Sequence, residues 1–392
     1  MQNDDVYERL KGKSVIVVTH VYGTGASQDL VRFLNDHKTR NLLFIGHPLF
    51  YDPNLSGSGY EIYDRGVLVQ KKITGNRRIP LFIGYILHIL KSFAWVLRTG
   101  RTWDLYVGSN CINAVVGIVL QKLGIVKKTV YYVIDFNPVR YDQPFVNALY
   151  QRLDQYCVIH ADETWNMSPR MKAGRRTYFG FSGGNQKVVP VGLWLSDCIS
   201  LPIREINPHK LVFVGHIQEK QGIQYVLRAI PAIVKKVHDF TFLIIGGGDY
   251  LSRLQVLSRE LGIAGHVEFS GYIKDHREID KLLVKSALGV ALYDRKDGDK
   301  ISFSYFGNPT KVKVYQSAGL PVLISDVPYN TRELEESGCA KIVSYEPRDI
   351  ARAVTSLLLH DRILRKYRDN VVAYRVRYDW NSIFSKNLRN LL

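Results

Sequence analysis

The sequence predicts an α/β protein built from two Rossmann-like domains facing each other across a cleft, and three observations carry that prediction. At 392 residues the chain exceeds the size at which one hydrophobic core stops growing, so two cores are expected. Short runs rich in β-branched residues alternate with helical patterns along its length, as in βαβ units with parallel sheets. Its composition, 46% hydrophobic and 23% charged, is that of an ordinary globular protein with no extended disorder.

Taken in order, SVIVVTH (14–20), NLLFIGH (41–47), DLYVGSN (104–110), TVYYVID (129–135) and ETWNMS (163–168) read as strands of the first domain. KLVFVGH (210–216), FTFLIIG (240–246), HVEFSG (266–271), LGVALY (288–293) and LPVLIS (320–325) read as those of the second. Residues 1–188 form the expected N-terminal domain and 189–209, with their prolines and weak periodicity, the linker. Residues 210–375 form the C-terminal domain, and 376–392 a terminal helix free to pack back on the N-terminal domain. The stretch IPLFIGYILHILKSFAWVL (79–97) approaches the length of a bilayer span, but Gly84, His88, Lys91 and Ser92 draw a polar stripe along it. A buried domain helix is the first expectation, with insertion into a membrane interface second and a true span last.

A net charge of +17 calls for a polyanionic partner: nucleic acid, an anionic membrane or a phosphorylated substrate. No zinc-finger, RNP-type or arginine-rich recognition pattern accompanies it, so no nucleic-acid partner is expected. Residues 65–103 hold eight Lys or Arg and no acidic residue, which favours an anionic membrane surface. The four cysteines, Cys111, Cys157, Cys198 and Cys339, lack metal or redox spacing and read as free thiols, and the polar, acidic start does not read as a signal peptide. The expected location is cytoplasmic, peripheral at the inner face of the membrane.

Ligands of open parallel sheets bind beyond the carboxyl ends of the strands. After the first strand, HVYGTGASQDL offers Gly23 and Gly25, but Gln28 stands where a dinucleotide fingerprint needs its third glycine. Gly23 and Gly25, with the basic pair Arg77 and Arg78, are candidate acceptor contacts. In the second domain Gly215, His216 and Lys220 follow one strand, Gly246 opens the IIGGGD turn, and Tyr272 and Tyr293 follow or end two more. None of these turns contains a P-loop. In YFGNPTKVKVYQSAGLPVLIS (305–325) the helix start at Thr310 carries Lys311 and Lys313, positive charge where the helix dipole is already positive. An anion resolves that repulsion: Asn308, Thr310 and the amides of 310–312 would cradle a diphosphate, with Lys311 as counter-charge. Lys313 would do the same or point to solvent, and Tyr315 would reach a ribose or pack in the core. Asp135, after the strand TVYYVI and before FNP, suits a general base for an acceptor hydroxyl.

The runs VVPVGLW, VFVGHIQEKQGI, IIGGGD, VEFSGYI, PTKVKVYQSAGLPVLIS and YDW resemble, in order and spacing, the second domain of GT-B glycosyltransferases of the family 4 type. The resemblance implies a nucleotide-diphosphate sugar as co-substrate, UDP-sugar favoured, with no metal and no other cofactor. Together with the basic, acid-free stretches of the N-terminal half, it leads to the expectation that the sugar is transferred to a lipid-linked or polysaccharide-precursor acceptor in cell-surface glycan synthesis. It also makes His20, at the end of the first strand, a second candidate base, since other GT-B enzymes use a histidine there. The chain departs from the family pattern at His216 and Gln221, where Arg and Lys usually hold the diphosphate. Phe306 and Val314 occupy the places of two glutamates, and Ile134 that of a histidine. A lysine at the position of Lys311 resembles GT-B enzymes that transfer glucuronic acid to lipid-linked acceptors. The alternatives are a catalytically silent GT-B subunit and an epimerase acting on the nucleotide sugar itself.

Overall fold

The computed structural model describes residues 4–20, 24–48, 57–75, 80–298 and 300–392. It divides into two compact units, Met1–Pro190 with Trp380–Leu392, and Val191–Asp379.

Unit 1 is built on an eight-stranded sheet of β1 (Ser14–Thr19), β2 (Asn41–Gly46), β3 (Gly59–Asp64), β4 (Val67–Ile73), β5 (Trp103–Ser109), β6 (Val126–Val133), β7 (Glu163–Asn166) and β8 (Gln186–Val188), in the order β4-β3-β2-β1-β5-β6-β7-β8. Six strands run parallel, and β3 and β4 extend the sheet as an antiparallel hairpin. Central strands covered on both faces read as continuous apolar runs, and Val15–Val18 of β1 are accordingly buried throughout. The hairpin escaped the sequence reading because β4, VLVQKKI, is an edge strand exposed at every position and lacks an alternating pattern. Near the carboxyl ends of β6 and β7, Arg175 clamps Asp154 through Nε (2.6 Å) and Nη2 (2.8 Å), and Tyr131 donates to the same carboxylate at 2.6 Å. The helix Trp380–Leu388 completes this unit. Its Phe384 ring lies 5.4 Å from Phe33 on the helix Ala26–Asp36, and Arg9 donates to the carbonyl of Arg389 at 3.0 Å.

The helix Leu81–Arg98 corrects the expectation of a buried domain helix. Its buried residues are Gly84, His88, Ser92, Trp95 and Val96, so the polar stripe faces inward. Leu81, Phe82, Ile83, Ile86, Leu87, Leu90 and Leu97 are each more than a third exposed. The cause is a polar pocket beneath the helix, where Ser92 Oγ bonds His47 Nε2 at 2.8 Å and Lys91 reaches Thr74 Oγ1 at 3.4 Å. By length and composition the helix is also apolar enough to cross a membrane.

Unit 2 holds a six-stranded parallel sheet and a small hairpin. Its strands are β9 (Lys210–Val214), β10 (Thr241–Ile245), β11 (Val267–Gly271), β12 (Leu288–Ala291), the hairpin pair β13 (Lys296–Asp297) and β14 (Lys300–Ile301), β15 (Val322–Ile324) and β16 (Ala340–Ile342). The sheet order is β11-β10-β9-β12-β15-β16. One apolar cluster, from Leu211 and Phe213 to Ile230 and Leu357, fills one face, and a second, around Val212, Ile245 and Tyr315, fills the other.

Candidate active site

In unit 2 the loops after β9 and β10 interlock through glycine backbone. A Cβ on Gly246 would stand 2.0 Å from the carbonyl oxygen of Gly215, and one on Gly248 2.1 Å from that of Ile217. Only glycine permits that approach. Gly215 itself has φ 139°, and a Cβ there would press on Lys311 Cε at 3.3 Å. Backbone and lysine therefore converge at the end of β9.

Lys311 enters from the first turn of the helix Thr310–Ser317, which Pro309 opens with φ −65° and no side-chain cap. Its Nζ donates to Gln221 Oε1 at 2.6 Å and sits 3.9 Å from the centre of the Phe213 ring. Burial pushes its pKa down from 10.5 to about 7. Gln221, the departure from the family's lysine, is thus the partner of Lys311; a lysine at 221 would oppose it charge to charge. The Tyr293 ring centre lies 5.6 Å from the same ammonium, and among the described residues the buried Tyr293 hydroxyl has no hydrogen-bond partner. Asn308 is buried, with Nδ2 3.5 Å from the Tyr329 hydroxyl; Thr310 is exposed. His216 is exposed, Lys220 is half-buried with its ammonium 5.9 Å from the Phe303 ring centre, and Tyr272 is 79% exposed.

Three expectations change here. Tyr315 is fully buried, its hydroxyl donating to the carbonyl of Val290 (2.9 Å) and accepting from the amide of Val214 (3.1 Å), so it ties β12 to β9 and cannot reach a ribose. The Val312 amide is given to the carbonyl of Pro309 at 3.2 Å, which leaves the amides of Thr310 and Lys311 as the donors of that turn. Lys313 does not point to solvent; it is buried over the Tyr378 ring and donates to Gln316 Oε1 at 3.1 Å. Phe306 is buried and Val314 packs at the edge of the core, so apolar side chains fill the places of the family's glutamates.

In unit 1 the residues after β1, β2 and β6 gather a polar cluster. His20 is buried 5.5 Å, ring to ring, from both Tyr85 and His88 and 6.2 Å from His47, while His47 and His88 stack at 4.3 Å. Burial, then the neighbouring His88 and Arg140, bring His20 from 6.5 down to about 3. His20 is therefore neutral at physiological pH, and its Nε2 is buried without a hydrogen-bond partner among the described residues. Asp135 is exposed two residues past β6, with Oδ2 paired to Arg140 Nη1 at 2.9 Å. Sequence reasoning missed Arg140; its spacing of five residues from Asp135 in the loop FNPVR was the available signal. Gly25 opens the helix Ala26–Asp36, accepting from the amide of Asp29 at 3.0 Å. Gly23, Arg77 and Arg78 lie outside the described residues.

Residues 208–360 match the profile of the family described as Glycosyl transferases group 1. The chain is 24% identical over 220 residues, 55% of either chain, to the phosphatidyl-myo-inositol mannosyltransferase of Mycobacterium leprae. It is 27% identical over 187 residues, 44% of this chain and 42% of the other, to an uncharacterized glycosyltransferase of Methanocaldococcus jannaschii. The chain thus spans about half the length of the curated relatives it matches. Among solved structures, Anabaena HepE in complex with UDP superimposes with a TM-score of 0.69 at 14% identity, over 96% of this chain and 99% of that one. Sucrose-phosphate synthase from Thermosynechococcus elongatus gives 0.70 at 15% identity, over 97% and 98%. The fold is GT-B, the fold of these glycosyltransferases. Its second unit carries the group 1 sequence pattern.

Proposed function

We propose that this chain is a metal-independent glycosyltransferase that moves a sugar from a nucleotide-diphosphate donor, UDP-sugar favoured, onto a lipid-linked acceptor at the cytoplasmic face of a membrane. The observation that carries the proposal is Lys311, a lysine held at a helix start against Gln221 and beside the glycine backbone at the end of β9. An ammonium about 4 Å from a phosphate gains roughly 4 kcal/mol at an effective dielectric of 20, enough to stand in for the arginine absent at His216. In this reading Lys311 and the amides of Thr310 and Lys311 hold the diphosphate and stabilise the charge that grows on it as the sugar departs. Gly215 and Gly246 admit the phosphates close to backbone, and Tyr272 offers its exposed ring to the base.

Unit 1 serves the acceptor. Asp135 takes the proton of the attacking hydroxyl, held in place by Arg140 through Oδ2. His20 is too weakly basic for that step, and its Nε2 positions the hydroxyl instead. The exposed apolar face of the helix Leu81–Arg98, set among basic residues, supports a membrane-peripheral location. The names of relatives agree: phosphatidyl-myo-inositol mannosyltransferases by sequence, and WaaG, a glycosyltransferase involved in lipopolysaccharide biosynthesis, by structure.

The test is nucleotide release from a panel of UDP-, GDP- and dTDP-sugars with EDTA present, with and without a membrane lipid extract. Release with one donor that needs the extract is expected. Binding without release would favour the silent subunit, the reading that Phe306 and Val314 support.

A further inference from the structure

A second basic site lies at the other end of the unit 1 sheet. Where β1, β2 and β5 begin, a pocket of about 990 Å³ is lined by Arg40, Arg65, Arg101, Asn41, Val67 and Val69 among others, with Asp64 its one carboxylate. It is a shallow basin open to solvent, and its three arginines are exposed. His20, His47 and Asp135 follow the opposite ends of their strands, so the pocket takes no part in the chemistry proposed above.

Three features point to its occupant. Among the described residues none of the three arginines forms an ion pair, although Arg101 donates to Asn41 Oδ1 and Arg40 to Ser14 Oγ at 3.4 Å. Guanidinium groups held this way suit the oxygens of a phosphate. Val67 and Val69 are 65% and 60% exposed on the sheet's edge strand. The register passes from Ile62↔Gln70 to Tyr63↔Leu68, so Val69 is the extra residue of a bulge, a device that re-aims a side chain. Finally, the helix Leu81–Arg98 leads into the pocket wall at Gly100–Thr102 with Leu97 exposed, while its His88 stacks on His47 beyond the carboxyl end of β2. The exposed apolar face of the helix therefore links the two ends of the sheet.

We propose that this pocket binds the phosphate headgroup of an anionic phospholipid that is not the acceptor, with its acyl chains lying along Val67 and Val69. The three arginines match the headgroup's charge, and the chains cover an apolar edge that would otherwise face water. The proposal rests on the membrane part of the function above and is independent of the sugar chemistry.

The experiment is co-sedimentation of the full chain with phosphatidylcholine vesicles, with and without phosphatidylglycerol, at physiological salt. Each arginine contributes about fivefold to binding at an anionic surface, so R40Q/R65Q/R101Q is expected to bind the anionic vesicles roughly 100-fold more weakly. Its binding to neutral vesicles through the helix should match wild type, and its transfer to a soluble acceptor without vesicles should be unchanged. If the triple variant melts early, Arg65→Gln alone, which leaves the Arg40 and Arg101 contacts intact, is expected to lose about fivefold. Wild-type binding of anionic vesicles by a folded triple variant would overturn the proposal. So would stabilisation of the wild type, but not the variant, by glycerol phosphate when vesicle binding does not differ, since the ligand would then be soluble. A dimer that Val69→Asp disperses while vesicle binding persists would assign the edge to a second copy of the chain. Loss of all vesicle binding in Phe82→Ser/Leu90→Ser, with the arginine effect absent, would refute the headgroup site while leaving the membrane reading intact.

Discussion

Lys311 should take up a proton when the donor binds. Burial lowers its pKa from 10.5 to about 7, a cost of about 5 kcal/mol for keeping it charged. A diphosphate oxygen at about 4 Å returns roughly 4 kcal/mol, which lifts the bound-state pKa by about 3, to around 10. Near pH 8.5 the free site is then mostly neutral and the occupied one mostly charged, so binding takes up about one proton. Affinity is full below pH 7 and weakens about tenfold per pH unit from there to around 10. Titration calorimetry of UDP in two buffers of unlike ionisation heat, at that one pH, reads the proton number directly, because the nucleotide phosphates are already ionised. Lys311→Met should abolish the uptake, and Lys311→Ala should lower kcat/KM by about 10- to 150-fold. Wild-type binding with no proton uptake, or the same uptake in Lys311→Met, would refute the reasoning.

Three further outcomes follow from buried groups. Burial also lowers the pKa of Lys313 well below 10.5, so the unfolded chain binds more protons and stability rises with pH up to that value. Lys313→Met should raise the melting temperature at pH 7, with the gain closing towards pH 10.5; a constant gain would show that charge is not the cause. Burial leads the depression of His20 to about 3, of His88 to about 4 and of His47 well below 6.5. Their contribution is complete above pH 6.5 and is lost as pH falls through that window, by up to about 4 kcal/mol per pH unit for three groups. The urea midpoint measured from pH 6.5 to 4 should fall steeply, and less steeply in His88→Phe. Tyr315→Phe leaves the amide of Val214 without its acceptor and should cost about 1 to 3 kcal/mol of stability with no change in UDP affinity. Weaker UDP binding would return Tyr315 to the site.

The longer parallel strands of both sheets were legible because buried strands must be apolar and β-branched, as VIVV of β1 and FLII of β10 are, whereas the three-residue parallel edge strands β8 and β16 are too short and too exposed to show such a run. The β3–β4 hairpin was not, because an exposed edge strand has no such constraint on its sequence. The 79–97 helix was found but turned the wrong way round. Apolar periodicity says which side shuns water, and here the side that packs on the domain holds Gly84, His88 and Ser92. At the candidate site, the clash of lysine with helix dipole pointed to Lys311 from sequence alone. Its contact with Gln221, 90 residues away, depends on tertiary placement that no local pattern encodes. The gathering of His20, His47 and His88 likewise exists only once β1, β2 and the helix Leu81–Arg98 are assembled.

The central claim, a nucleotide diphosphate held by Lys311, is tested most directly by thermal stabilisation of wild type and Lys311→Ala with UDP-, GDP- and dTDP-sugars and the bare nucleotides. Ligand at about 100 times its Kd should stabilise the wild type by about 2.7 kcal/mol. A shift with one donor class that shrinks in Lys311→Ala is expected. No shift with any of them, or an equal shift in both proteins, would contradict it.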